Sequence, residues 1–132
     1  MFSARRKPAP QLDFAVREKA LACVVVKNPQ VRERETGNRG LLLTYQVRVK
    51  AWFQAIVRRI TGREDDLIER KLELDELGTA VWRMIDGRKE VAELIDEFRR
   101  EYRLDHREAE LSVTAFLREL GRRGLIALHE KE

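Results

Sequence analysis

From Asp75 onward the chain carries three apolar stripes in succession, each at helical spacing. Leu77, Ala80, Val81, Met84 and Ile85 make the first. Asp75 stands where its carboxylate can accept from the free N–H groups of the opening turn, and Gly87 is a stop. The second runs from about Lys89 to Tyr102, with Val91, Leu94, Ile95, Phe98 and Tyr102 on one face. Asp105 and Glu108 form an acidic capping box that opens the third. That helix carries Ala109, Val113, Phe116, Leu117 and Leu120 and ends before Gly124. The spacing therefore predicts three helices within residues 75–123.

Upstream the period falls to two. Leu41, Leu43, Tyr45, Val47 and Val49 alternate with Leu42, Thr44, Gln46 and Arg48, as a half-buried strand requires. The β-branched run Leu21–Val26 precedes it, bounded by Asn28-Pro29, and reads as a strand that Val31–Glu35 extends. With the turn at Gly37-Asn38-Arg39-Gly40, residues 21–49 are expected to form a hairpin. Leu67–Leu74 reads as a third strand, with Ile68, Leu72 and Leu74 to one side, Arg70 among them, and Leu67, Glu69, Lys71 and Glu73 to the other. Leu125–Leu128 suits a short terminal strand, and residues 1–12, with two prolines and three basic residues, suit a mobile arm. Residues 13–132 are expected to be one domain.

Residues 50–66 fit neither pattern. Trp52, Phe53, Ile56, Val57 and Ile60 recur at helical spacing beside Lys50, Arg58, Arg59 and Arg63, giving a short basic amphipathic insertion. It could cover the sheet, dock on a partner through Trp52, Phe53 and Ile56, or join two copies of the chain. The net charge of +4 is unevenly spread. Residues 1–66 hold 14 Lys+Arg against 7 Asp+Glu, and residues 67–132 hold 13 against 16. The helical half is thus acidic, which argues against its third helix lying on phosphates.

Catalytic chemistry finds no foothold in the sequence. His106 and His129 lie beside a helix cap and in the tail, far from Cys23, so no metal-ligand spacing arises. Gly37 and Gly40 lack the Lys-Ser/Thr of a phosphate loop, and Ser3 and Ser112 have no base beside them. The acidic residues sit at ion-pairing offsets from arginines, as Glu93 and Glu97 do from Arg100. Cys23, in an apolar strand, suits a small core residue. No apolar run is long enough for a spanning helix, no secretory signal is evident, and one cysteine allows no intrachain disulfide, which suits the cytoplasm. Neither a cofactor nor a metal is expected.

One ordered set of motifs points further. Leu74, Asp75, Gly78, Val81 and Trp82 are followed by Asp86-Gly87, then by Val91, Leu94 and Ile95, then by Phe116, Leu117, Leu120, Gly124, Leu125 and Ile126. In this order and with these gaps, about 60 residues resemble the PqqD family. The resemblance implies an α+β, winged-helix-like fold, a three-stranded antiparallel sheet followed by a three-helix bundle. It implies a non-enzymatic adaptor that binds the leader of a ribosomally made precursor peptide and presents it to a modifying enzyme, often a radical SAM protein. The leader adds as a strand beside the third strand and packs on the third helix. Carried over, the peptide-binding residues are Ile68, Glu69, Arg70, Lys71 and Leu72 with Leu111, Thr114 and Arg118. The cofactor-biosynthesis members are shorter and lack a counterpart of residues 50–66. The alternative is a winged-helix nucleic-acid binder, suggested by the pI of 9.5 and the helical triplet.

Overall fold

A computed structural model of the chain describes residues 14–48, 58–60 and 67–131. The elements in order are α1 (Phe14–Leu21), β1 (Val24–Lys27), β2 (Arg32–Glu35), β3 (Leu41–Arg48), β4 (Leu67–Leu74), α2 (Glu76–Met84), α3 (Val91–Tyr102), α4 (His106–Arg122) and β5 (Ile126–His129). The class is α+β, with a three-stranded antiparallel sheet and several helices. The chain divides into two compact units, one of residues 28–80 and one of residues up to Lys27 together with Val81 onward.

The first unit is built on the antiparallel sheet β2-β3-β4. The period-two pattern of β3 translates directly into burial: Leu41, Leu43 and Tyr45 are buried while Gln46 and Arg48 are exposed. β3 pairs with β4 along its whole length, Leu41 opposite Leu74 through to Arg48 opposite Leu67. Residues 49–66 therefore connect the two strands of a continuous hairpin. The connection from β2 to β3 is the expected glycine turn, closed by the Thr36 N–H donating to the Gly40 carbonyl at 3.2 Å. Arg39 takes a left-handed φ of 62° in that turn. Asp75 caps α2 as its position suggests, its Oδ1 accepting from the Gly78 N–H at 2.8 Å.

The second unit holds α1, α3, α4 and the paired strands β1 and β5. The helix stripes predict its interior well. Val91, Leu94, Ile95 and Phe98 of α3 and Ala109, Val113, Leu117 and Leu120 of α4 are buried. Asp105 and Glu108 form the reciprocal box, with Glu108 N–H to Asp105 Oδ1 at 2.9 Å and Asp105 N–H to Glu108 Oε1 at 3.3 Å. Gly87 and Gly124 both adopt positive φ, 84° and 78°, at the ends of helical segments. Trp82, only 1% exposed, fills the middle of this core, with Lys27 Nζ 4.5 Å from its ring centroid.

Two expectations are corrected. The run Leu21–Val26 is not the first strand of the three-stranded sheet. Its start ends α1, where the N–H groups of Ala22 and Cys23 still donate to Glu18 and Ala20 carbonyls, and only Val24–Lys27 is extended. That strand pairs antiparallel with β5, Val24 opposite His129, and bridges Glu90 on its other side. Asn28-Pro29 is the reason: Asn28 accepts from the Gln30 and Val31 N–H groups, turning the chain away before β2 starts. Arg32–Glu35 is therefore a separate strand, not an extension. The second correction concerns ion pairs. Arg100 pairs with Asp96, while Glu97 reaches back to Lys89 at 2.6 Å and Glu93 accepts from the Glu90 N–H.

Candidate functional site

β4 is the strand that most of the expected peptide-binding residues occupy. Ile68, Glu69, Arg70, Lys71 and Leu72 lie consecutively on it. Among the described residues β4 pairs with β3 alone, so it is an edge of the sheet. Every second residue of such a strand turns its N–H and C=O away from its partner, leaving them for another strand. Five of its eight side chains in sequence, Leu67 to Lys71, are exposed. Two of these are large and apolar, Leu67 at 43% and Ile68 at 37%. Burial returns only at the far end, with Leu72 half-buried and Leu74 4% exposed.

The cross-strand register sorts these side chains by face. Ile68, Arg70, Leu72 and Leu74 stand opposite Val47, Tyr45, Leu43 and Leu41. Leu67, Glu69, Lys71 and Glu73 stand opposite Arg48, Gln46, Thr44 and Leu42. Across the sheet on this second face, Arg32 of β2 approaches Glu69 at 3.7 Å. No comparable pair joins Arg70 or Lys71 to another described residue.

Leu111, Thr114 and Arg118 lie on α4 in the other unit, at offsets of three and four that put them on one helix face. Leu111 is 57% exposed. Thr114 spends its hydroxyl on its own helix, donating to the Glu110 carbonyl at 2.7 Å. The same face carries a feature that sequence reasoning missed. Glu110 receives Arg17 of α1 in a two-pronged pair, and His106 Nε2 lies 3.6 Å from the same carboxylate. The Arg17 hydrogen bond, more than its charge, holds the Glu110 carboxyl below the usual glutamate range. No local signal marks a pair 93 residues apart.

Trp52, Phe53 and Ile56, expected to dock a partner, lie outside the described residues. Of the insertion, residues 58–60 are described; they are helical, and Ile60 is 76% exposed. Cys23 is buried, its Sγ 3.4 Å from the Lys19 carbonyl, in keeping with a small core residue. Among the described residues no three His, Cys, Asp or Glu side chains group as a cation site, and no helix is long and apolar enough to cross a membrane.

Comparison with known proteins bears on the same stretch. Residues 67–126, from β4 to the start of β5, match the family model of PqqD, coenzyme PQQ synthesis protein D. Over these residues, a little under half of the chain, it is similar to the PqqD family. The family is one of non-catalytic accessory proteins, associated with precursor-peptide binding in the biosynthesis of PQQ and other ribosomally made peptides. No curated protein and no solved structure matches the chain significantly.

Proposed function

We propose that this PqqD-like chain is a non-catalytic adaptor that binds the leader of a ribosomally made precursor peptide by adding it as a strand to β4. It then presents the peptide to a modifying enzyme such as a radical SAM protein. The observation that carries the reading is β4 itself. It opens the family match, pairs on one side, and exposes Leu67–Lys71. An edge strand of this kind offers a peptide a row of backbone hydrogen bonds for affinity and flanking side chains for selectivity. The α4 face with Leu111, Thr114 and Arg118 is a second contact surface on this reading, supported by the exposure of Leu111. We read the fold as winged-helix-like, with residues 13–132 acting as one recognition domain in the cytoplasm. The insertion at residues 50–66 is assigned to docking, on the enzyme or on a second copy, through Trp52, Phe53 and Ile56.

The test is a titration of isotope-labelled protein with the leader peptide encoded beside it, followed by NMR. Strand addition slows exchange of β4 amides at residues 67–74 and shifts their signals. A peptide that binds elsewhere, or none that shifts β4, overturns the reading.

A further inference from the structure

The side chains of β4 specify more than the presence of a strand. Arg70 and Lys71 are adjacent, exposed, and on opposite faces of the strand. Glu69, beside them, already faces Arg32 across the sheet at 3.7 Å, whereas neither cation has an ion-pair partner among the described residues. Ile68 and Leu72 flank Arg70 on its own face, one exposed and one half-buried. Resting on the strand-addition reading above, we infer that the peptide accepted by β4 carries two consecutive acidic residues facing Arg70 and Lys71. Apolar residues two places to either side of the first face Ile68 and Leu72.

Directly opposite side chains in neighbouring strands lie close enough to interact, opposite charges favourably and like charges unfavourably. A strand laid along β4 has one residue opposite Arg70 and the next opposite Lys71, whichever way it runs. Because the side-chain period is two, these two residues fall on different faces, so a single acidic residue cannot serve both cations. The apolar neighbours of Arg70 also thin the water around its pair once a strand covers Ile68 and Leu72, which strengthens the attraction. A basic peptide meets the opposite situation, two cations facing two cations on a strand already in place.

The experiment uses the full chain and four blocked peptides. Two carry the acidic pair, Thr-Leu-Glu-Glu-Thr-Leu and its reversed order Leu-Thr-Glu-Glu-Leu-Thr, so that either strand direction is served. Two carry Lys-Lys in its place. Binding is followed by the shifts of β4 amides, against the wild-type chain and against R70E/K71E. Both substituted residues are exposed, so the variant keeps its fold, which the unchanged spectrum of the remaining amides verifies. The better acidic peptide is expected to bind wild type about tenfold more tightly than either lysine peptide, the sum of two modest charge pairs. The variant is expected to reverse that order, and added salt to narrow both preferences. If acidic and lysine peptides shift β4 equally in both proteins, strand addition stands and the acidic-pair inference falls. If no peptide shifts β4, both fall together.

Discussion

Arg17 and Glu110 meet through two parallel hydrogen bonds, Nε to Oε2 at 2.7 Å and Nη2 to Oε1 at 2.6 Å. The planar guanidinium matches the carboxylate fork, which makes this the strongest kind of surface ion pair. It ties α1 to the second turn of α4. The Arg17 hydrogen bond lowers the pKa of Glu110 in the folded chain, outweighing the opposing effect of burial, with further help from the charges of Arg17, His106 and Arg107. A carboxyl lowered on folding contributes stability that is complete above its ordinary value of 4.5 and disappears as the pH falls through the folded value. The clasp is therefore intact at neutral pH and lost only in acid. The protection of α1 amides, their exchange relative to the unstructured rate at the same pH, should be unaffected between neutral and mildly acidic pH and should fall several-fold below the glutamate range, so that they exchange relatively faster. Glu110→Gln should bring the faster exchange to neutral pH. Equal α1 protection in wild type and variant at pH 7 would sink the assignment.

A side chain at Gly40 would run into the backbone of the paired strand. A Cβ there would stand 2.5 Å from the Leu74 carbonyl oxygen and 2.9 Å from Thr36 Oγ1. The carbonyl belongs to the paired strand, Leu74 being opposite Leu41, and cannot swing aside as a side chain does. Gly40→Ala should therefore cost about 1–3 kcal/mol, the usual range for forcing an extra methyl into packed surroundings. Gly37, in the same turn, has nothing within 4 Å of its would-be Cβ and is the control. Urea unfolding of the two variants checks the difference; equal midpoints would contradict the crowding.

Trp82 is the largest side chain fully enclosed in its unit. Trp82→Ala should cost about 3–5 kcal/mol, the range for emptying such a site. Lys27 Nζ lies over the ring at 4.5 Å, a geometry worth roughly 0.5–1 kcal/mol where water has access. Lys27→Met keeps the aliphatic stem and removes the charge, so its expected loss is well below that of Trp82→Ala. Thermal unfolding of the two variants separates packing from cation–π attraction. A Lys27→Met loss as large as that of Trp82→Ala would show that the ammonium has some other role.

These predictions rest on features that were unequally legible in the sequence. The stripes of α3 and α4 were readable because every buried position recurs at helical spacing between caps, as Val91–Phe98 and Ala109–Leu120 do. The β3–β4 ladder was readable from alternation. The fate of Leu21–Val26 was not, since a short apolar run suits a helix end and a strand equally, and its partner β5 lies a hundred residues away in the chain. The end of α3 was also hidden. Arg103 takes a left-handed φ of 54° with its N–H on the Arg99 carbonyl, where a glycine would have announced the stop. In the candidate site, β4 and its exposed residues were visible as a pattern of mixed polarity. That Arg70 and Lys71 have no ion-pair partner among the described residues was not, because Glu69, next to both in sequence, is instead matched to Arg32 across β3.

β4 itself offers the last discrimination, since one strand runs from an exposed end to a buried one. Ile68 is 37% exposed and Leu74 is 4% exposed, although both lie on the same face. Burial alone then dictates opposite outcomes for similar truncations. Ile68→Thr keeps a β-branched residue and should change stability by no more than about 0.5 kcal/mol, as surface substitutions do. Leu74→Ala should cost about 2–5 kcal/mol, as buried leucine truncations do. On the strand-addition reading the functional ranking is reversed. Ile68→Thr removes an apolar contact that only a bound peptide would cover, and should weaken leader binding several-fold in a chain that unfolds at the wild-type midpoint. Urea midpoints and peptide titrations on the same two variants measure both rankings. Should Ile68→Thr bind the leader as tightly as wild type, the exposed end of β4 would not be where the peptide lies.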